Sequence, residues 1–233
     1  MMFRAITPRF LKIAWQLARR KVRHRGWRFA QFRPDGVAFP IQISLCQPIR
    51  PSSHLSNKVH NLRLASTLVE AIVIHPGEAF SFWHCVGPPT KRRGYLPGRN
   101  LIAGRLREDY GGGLCQLSGI LYHLALLAGL EIVERHHHSV DSYREAERFT
   151  PLGSDATVVY GYRDLIFRNR LSAPIHFLIT VADTDLTASL CCLTDLTAKT
   201  IYFRRVNSDT SSIEVISEAG DGTVLAHSVY QRN

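Results

Sequence analysis

The sequence predicts an α+β fold in which helices come first and a mostly antiparallel β-sheet follows. Two observations favour this class. Apolar residues recur at helical spacing up to about residue 130, whereas short β-branched and aromatic runs separated by turn residues occupy the chain from residue 155 onward. Hydrophobic residues make up 45% and charged residues 21% of the 233 residues, which is typical of a globular domain. Helices followed by a series of strands are the pattern of α+β proteins.

The N-terminal segment, residues 1–33, is predicted to be a basic amphipathic arm. Residues 1–50 contain eleven Lys and Arg against one Asp, which accounts for the whole net charge of +10. A helix is predicted over residues 8–24, and its apolar side carries Phe10, Ile13, Ala14, Leu17 and Ala18. Two interpretations stay open. Residues 1–30 lie on an anionic membrane surface, or the apolar side packs on the body and the charges stay in solvent.

The body of the protein is electroneutral. Residues 51–233 contain eighteen basic and eighteen acidic residues, so they offer no charge excess to phosphates. We therefore expect no nucleic acid among the partners. Residues 34–54 hold four prolines and are predicted to be an extended linker, and residues 55–233 are predicted to form the folded domain.

A glycine-rich turn opens the central helix of this domain. Gly111–Gly113 precede Cys115 and Gln116, and apolar residues at helical spacing continue from there to Leu130. The unpaired N–H groups of a helix N-terminus favour a thiolate, which is the nucleophilic form of cysteine. The alternative is structural, with Cys115 as a small buried residue in a tight turn.

Three consecutive histidines and one aspartate could complete a catalytic group with Cys115. The predicted strand Glu131–Arg135 leads into the histidines, and on a strand His136 and His138 would face the same side. A cysteine nucleophile needs such a partner, and Asp155, at the start of the next β segment, could orient the imidazole. The order Cys, His, Asp is also that of papain-like and transglutaminase-like cores, so such an arrangement is one option. The same four side chains could instead ligate zinc.

The β region consists of short predicted strands. They are Thr157–Tyr160, Leu165–Phe167, Ile175–Val181, Leu186–Leu193, Thr200–Phe203 and Ser212–Ile216. The odd total of five cysteines argues against a disulfide framework. Cys46 and Cys85 have no histidine partner nearby in sequence and are expected to be structural, and the adjacent Cys191 and Cys192 are expected to face opposite sides of a strand, with one of them buried. Together with the lack of a signal peptide or a long apolar run, the odd cysteine count predicts a cytoplasmic protein, peripheral at the inner face of the membrane if the arm binds there.

Several ordered motifs resemble those of the VanW family. They are Pro-Gly-Glu-Ala-Phe-Ser-Phe at 76–82, Gly-Gly-Gly-Leu-Cys-Gln-Leu-Ser at 111–118, Arg-His-His-His-Ser at 135–139 and Gly-Ser-Asp-Ala-Thr-Val at 153–158. The resemblance covers roughly residues 55–182. The family takes its name from an accessory protein of vancomycin-resistance clusters. VanW domains of some clostridial cell-wall proteins are linked to L,D-transpeptidation of peptidoglycan through the cysteine of the central motif.

The resemblance implies a cysteine-based acyl-transfer or amide-cleaving site that acts on a cell-wall peptide or precursor, with no cofactor. Carried over to this sequence, it makes Cys115 the nucleophile. From residue type and spacing, His138 is the expected base, with His136 in reserve, and Asp155 orients the imidazole. The alternative is a non-catalytic module that binds peptidoglycan or a glycopeptide.

Two further groups of residues are expected to face the substrate. The loop that receives substrate and developing negative charge comprises Gly111, Gly112, Gly113 and Gln116. Within it, the N–H groups of Gly113, Cys115 and Gln116 are the expected oxyanion donors. Arg135 and Tyr95 are expected to contact the substrate.

Overall fold

The computed structural model describes residues 8–32, 39–102, 105–141 and 147–232. These residues form four α-helices and a set of mostly antiparallel sheets, which confirms the predicted α+β class. The helices are α1 (Arg9–Arg23), α2 (Leu55–Glu70), α3 (Phe82–Val86) and α4 (Leu114–Leu127). The strands are β1 (Gln31–Phe32), β2 (Ile41–Pro48), β3 (Ile72–Ile74), β4 (Ala79–Ser81), β5 (Pro97–Ile102), β6 (Arg105–Tyr110), β7 (Glu131–Glu134), β8 (Val140–Asp141), β9 (Ile166–Arg168), β10 (Ile175–Val181), β11 (Asp185–Cys192), β12 (Ile201–Ser208), β13 (Ser212–Ala219) and β14 (Val224–Arg232).

The largest sheet has five strands in the order β1-β3-β10-β11-β2, and every neighbouring pair is antiparallel. Helix α2 packs along β10. Its buried side carries Val59, Leu62, Ala65 and Val69, which recur at helical spacing. The burial of this apolar side against the sheet removes both surfaces from water and stabilises the body.

Strand β2 lies within the segment for which the sequence favours a linker. It pairs with β11 at the edge of the five-stranded sheet, so residues 41–48 are a hydrogen-bonded part of the body and not a free connection. Alternation buries Ile43 and Gln47 on one side of the strand. Pro40 and Pro48 mark the two ends of this edge strand, where a residue without an N–H donor is tolerated.

Three smaller sheets complete the body. Strands β12, β13 and β14 form an antiparallel meander, and β14 pairs in parallel with β8. A second sheet has the order β4-β9-β7, and β5 and β6 form a hairpin. The pairing of β14 with β8 brings the C-terminal strand beside the segment that follows β7, which contains the three histidines.

Helix α4 lies at the centre of the core. Its Leu117, Ile120, Leu121 and Leu124 are completely buried, as expected for a helix that is apolar on most sides. Ser118 is buried as well, and its Oγ donates a hydrogen bond of 2.7 Å to the carbonyl oxygen of Ala156. This bond attaches the helix to the segment that carries Asp155.

Strand β2 is not the only difference between the structure and the sequence prediction. Strand β7 ends at Glu134, so the three histidines lie in an irregular segment and not on a strand. The predicted strand Thr157–Tyr160 contains a single bridge, between Val159 and Arg163. The sequence pattern does not predict strand β14, where His, Ser and Gln interrupt the apolar residues, or the β5–β6 hairpin, where charged residues and a glycine interrupt them.

Helix α1 contacts the body along one side. Ile13 lies against the turn at Gly161. Arg20 donates hydrogen bonds of 2.7 and 2.8 Å to the two carboxylate oxygens of Glu134, and one of 2.8 Å to the carbonyl oxygen of Tyr162. No residue of α1 is fully buried. Within the part of the chain that the structure describes, every helix is too short or too polar to cross a membrane.

Candidate functional site

The glycine turn before α4 places Cys115 in the first turn of that helix. Gly113 is the N-cap residue and has a φ of 101°, which a residue with a side chain rarely adopts. A Cβ atom on Gly113 would lie 2.8 Å from Cγ of Lys58, and one on Gly111 would lie 2.7 Å from Cβ of Pro89. Glycine is therefore required at both positions by backbone conformation and by packing.

The Cys115 side chain is partly exposed and points toward the histidine segment. Its Sγ lies 3.8 Å from the carbonyl oxygen of Val158. The Cys115 sulfur also lies close enough to the His138 imidazole to raise the pKa of that histidine. The structure thus brings the predicted nucleophile and the predicted base together, although the two residues come from a helix and an irregular segment and not from a helix and a strand.

His138 is held by Asp155 through both its backbone and its side chain. The backbone N–H of His138 donates to Oδ2 of Asp155 at 2.7 Å, and the imidazole Nδ1 lies 2.7 Å from the same oxygen. Pairing at Nδ1 leaves the Nε2 nitrogen for the thiol of Cys115. The three groups therefore form a chain of thiol, imidazole and carboxylate, the arrangement in which cysteine nucleophiles are activated.

Asp155 is itself held by an arginine and a tyrosine. The guanidinium of Arg135 lies 2.9 Å from Oδ1 of Asp155 and also donates to the carbonyl oxygens of Asp155 and Gly153. The Tyr230 hydroxyl donates a short hydrogen bond to the same Oδ1. Burial alone would raise the pKa of Asp155. The hydrogen bond from His138 and the charge of Arg135 outweigh it and hold the pKa well below its usual range.

The same network determines the charge of His138. Burial alone would lower its pKa, but the hydrogen bonds to Asp155 and Cys115 outweigh burial and raise the pKa to about 10. The imidazole is therefore protonated at neutral pH in this environment. A protonated imidazole beside a sulfur favours the thiolate, as in other cysteine–histidine pairs.

His136, the residue held in reserve as a base, belongs to a different network. Its Nε2 lies 2.9 Å from a carboxylate oxygen of Glu134, the residue that also binds Arg20 of α1. Burial alone would raise the pKa of Glu134, but hydrogen bonds from His136 and Arg20 outweigh it and lower the pKa to about 2. His136 thus connects to the N-terminal helix, whereas His138 connects to Cys115.

The expected oxyanion donors are only partly available. The N–H of Gln116 donates to the carbonyl oxygen of Gly113 at 2.9 Å, so it is already used within the first helical turn. The Gln116 side chain donates to the carbonyl oxygen of Pro48. The N–H of Cys115 has no acceptor among the described residues, as is usual in the first turn of a helix. The N–H of Gln116 is therefore engaged inside the helix, whereas the oxyanion roles of Gly113 and Cys115 stay predictions.

The two residues expected to contact substrate are buried. Only 5% of the Arg135 side chain is exposed. Its guanidinium carbon lies 4.9 Å from the centroid of the Tyr122 ring, and the guanidinium pairs with Asp155. Tyr95 is almost completely buried, and burial raises its pKa to about 12. Arg135 can be buried because Asp155 and its neighbours pair with the guanidinium, whereas Tyr95 is buried because its ring packs in the hydrophobic core.

The zinc interpretation finds no support in the geometry. Within the described ranges, no three side chains of His, Cys, Asp or Glu are grouped so that they could hold a metal ion. His136 is turned toward Glu134, and Nδ1 of His138 is paired with Asp155. The donor set predicted from spacing is therefore divided between two hydrogen-bond networks.

The other cysteines lie outside this site. Burial raises the pKa of Cys85 to about 12, and its thiol donates to the carbonyl oxygen of Leu68. Cys191 and Cys192 are buried on adjacent positions of β11, and Cys46 is exposed on β2. All five cysteines are free thiols.

Sequence reasoning missed three residues that support the site. Tyr230 and Ser228, both on β14, contact the Asp155 and Arg135 side chains from the far end of the chain. Glu134 contacts both His136 and Arg20. No spacing rule connects positions about ninety residues apart, so only the fold could reveal the first two.

A comparison of this chain with known protein families identifies the family to which it belongs. The model of the family described as "VanW like protein" matches residues 57–191, more than half of the chain. The chain belongs to the VanW family. The VanW match includes Cys115, His138 and Asp155 but ends before β14, so Tyr230 is a feature that the family model does not cover.

Two curated relatives support the VanW assignment. The Vancomycin B-type resistance protein VanW of Enterococcus faecalis is 36% identical over 127 residues, which are 54% of this chain and 46% of that protein. The uncharacterized protein YoaR of Bacillus subtilis is 36% identical over 124 residues, which are 53% of this chain and 39% of that protein. The aligned part therefore spans less than half the length of either relative. No solved structure gives a significant match.

Proposed function

We propose that this VanW-family protein is a cysteine-dependent acyltransferase or amide-cleaving enzyme that acts on cell-envelope peptides. One observation carries the proposal. The partly exposed thiol of Cys115, in the first turn of the buried helix α4, lies beside the His138 imidazole, and the Asp155 carboxylate orients that imidazole. A cysteine with a purely structural role has no need of a paired imidazole. The relative named for vancomycin resistance supports a cell-envelope role.

The proposed reaction begins with attack by Cys115. The thiolate sulfur adds to the carbonyl carbon of an amide, and the N–H of Cys115 donates to the oxygen that gains negative charge. Protonated His138 then gives its proton to the leaving amine as the C–N bond breaks, which leaves a thioester on the sulfur. An incoming amine or a water molecule attacks the thioester carbonyl carbon, His138 takes up the proton of the nucleophile, and the C–S bond breaks to release the Cys115 thiolate. An amine gives acyl transfer and water gives hydrolysis.

Asp155 has a positioning role in this scheme. Its carboxylate fixes the imidazole at Nδ1 and stabilises the imidazolium, while Arg135 and Tyr230 keep the carboxylate ionised and oriented. The acyl donor is a cell-wall peptide or its precursor, and the proposed place of action is the cytoplasmic face of the membrane.

The test is to trap the thioester. The purified protein is incubated with a mixture of peptidoglycan stem peptides, and its intact mass is measured after rapid acid quenching. We expect a mass increase equal to one acyl fragment on the unaltered protein and on Cys46→Ser, a control that removes another exposed thiol. Cys115→Ala should show no such increase.

The rival function is a non-catalytic module that binds peptidoglycan or a glycopeptide. A stem peptide that binds equally to the unaltered protein and to Cys115→Ala, without any covalent mass increase on either, would establish this rival and remove the acyltransferase proposal. Covalent attachment that persists in Cys115→Ala would contradict the assigned nucleophile.

A further inference from the structure

Helix α1 has an outward side that the body does not cover. Ile13, Leu17, Arg20 and His24 are partly buried and face the body. The opposite side presents large apolar residues to solvent: Phe10 is 67%, Leu11 49%, Trp15 57% and Val22 75% exposed. The apolar side predicted from the sequence is therefore divided, because Ile13 and Leu17 serve the body whereas other residues face outward.

These exposed residues form one continuous stripe. At 100° per residue, Phe10, Leu11, Ala14, Trp15, Ala18 and Val22 lie within an arc of about 140° on the helix surface, and Lys21 lies in the same arc close to its Phe10 edge. We call the six apolar residues the outward stripe. Scattered single apolar residues are normal on a protein surface, but a contiguous stripe of this kind marks an interaction surface.

The borders of the outward stripe are basic. Helix α1 contains six Lys and Arg and no acidic residue. The guanidinium of Arg19 lies over the Trp15 ring, 4.6 Å from its centroid, beyond one edge of the stripe, and Lys21 lies close to the other edge, beside Phe10. Among the described residues, neither Arg19 nor Lys21 has a carboxylate partner, so both charges are available to an external anion.

The body holds α1 so that the stripe keeps a fixed orientation. Arg20 binds Glu134 with two hydrogen bonds from the side opposite the stripe, and Arg9 pairs with Asp109 near the start of the helix. An amphipathic surface that is already ordered loses little conformational entropy when it binds.

We infer that the outward stripe of α1 is a docking surface for an anionic lipid membrane. The apolar residues enter the boundary between headgroups and acyl chains, and the flanking Arg and Lys face the lipid phosphates. The basic residues favour an anionic membrane over a second copy of the chain as the partner of this stripe. Two copies of α1 packed together would bring their like charges close to each other. The inference does not depend on the acyltransferase proposal.

The test uses the full chain and sedimentation with large vesicles of phosphatidylcholine, either pure or mixed with phosphatidylglycerol. We expect binding to the mixed vesicles, little binding to pure phosphatidylcholine, and weaker binding as salt rises. The double variant Trp15→Ser/Val22→Ser should lower the partition coefficient for mixed vesicles by about tenfold or more, since two exposed apolar side chains are lost.

A matched control is Tyr202→Ser on β12, which removes a side chain that is also about half exposed but lies on another surface. It should bind the mixed vesicles like the unaltered protein. Failure to bind mixed vesicles, or equal binding by the double variant, would overturn the inference. Concentration-dependent dimers that the double variant abolishes, without any vesicle binding, would overturn it in favour of a second copy.

Discussion

Replacing His138 by Gln should remove a pH-dependent part of the free energy of unfolding. The pKa of His138 is raised to about 10 in the fold, against about 6.5 for a free imidazole. The folded protein therefore binds this proton more tightly than the unfolded chain does. The resulting stabilisation is fully present below pH 6.5 and is lost as the pH rises through 10. At about 1.4 kcal/mol for each pKa unit the upper limit is roughly 5 kcal/mol, and a few kcal/mol is the expected size.

The assay is urea unfolding of the unaltered protein and of His138→Gln at several pH values between pH 6.5 and pH 10. The difference in unfolding free energy between the two proteins should be largest at the acid end and shrink steadily toward the alkaline end. His54→Gln is the control for the substitution itself, because that imidazole makes no hydrogen bond to another described residue. A His138→Gln difference that stays constant across the range would refute the reasoning.

Three further substitutions test the supports of the site. Tyr230→Phe removes a hydrogen bond to Asp155 and should lower the free energy of unfolding by about 1 kcal/mol in denaturant titrations. Glu134→Gln leaves the partly buried Arg20 without its carboxylate partner, so the free energy of unfolding should fall by about 1–3 kcal/mol. Trypsin should also cleave faster within α1, and unchanged cleavage would contradict this. Gly113→Ala forces a side chain into a φ of 101° and a 2.8 Å contact, and should cost about 1–3 kcal/mol by the same titration.

Two of these substitutions have a control within the chain. Gly26 also has a positive φ, 84°, but a Cβ there would meet nothing within 4 Å. Gly26→Ala therefore measures the conformational cost alone, and Gly113→Ala should be clearly worse. Tyr202→Phe removes an exposed hydroxyl and should leave stability unchanged, so an equal effect of Tyr230→Phe would contradict the assigned hydrogen bond.

The central helix and its glycine turn could be predicted from the sequence because their signals are local. Apolar spacing indicated α4, and three glycines before Cys115 indicated a tight backbone that only glycine can adopt. The choice of His138 over His136 depended on residue type and spacing. In the structure His138 lies beside Cys115, although β7 ends at Glu134 and the histidines are therefore not on a strand.

The residues that hold Asp155 could not be predicted in the same way. Arg135 sits beside the histidines in sequence, which suggested a substrate contact, but the fold buries it under Asp155. Tyr230 reaches the same carboxylate from β14, 75 residues further along the chain. Such contacts depend on how distant strands pair, and local periodicity carries no information about that pairing.

Helix α1 shows a similar limit. The sequence predicts an amphipathic helix, but the apolar residues of that helix lie on two different surfaces. Some face the body, and the others form the outward stripe. The contact with Glu134 and Gly161 determines which apolar residues turn inward, and only the remaining residues, such as Trp15 and Val22, face outward. The spacing of apolar residues in the sequence does not tell which of them face the body and which face outward.

The most direct test of the proposed site is the rate at which iodoacetamide alkylates Cys115, measured by mass spectrometry of peptides at mildly acidic pH. Cys46 is the internal reference, because it is an exposed free thiol of the same chain. If the His138 imidazolium keeps the neighbouring sulfur as a thiolate, Cys115 should react at least about tenfold faster than Cys46, and His138→Gln should abolish the advantage. Equal rates at the two cysteines, or an advantage that persists in His138→Gln, would contradict the proposal.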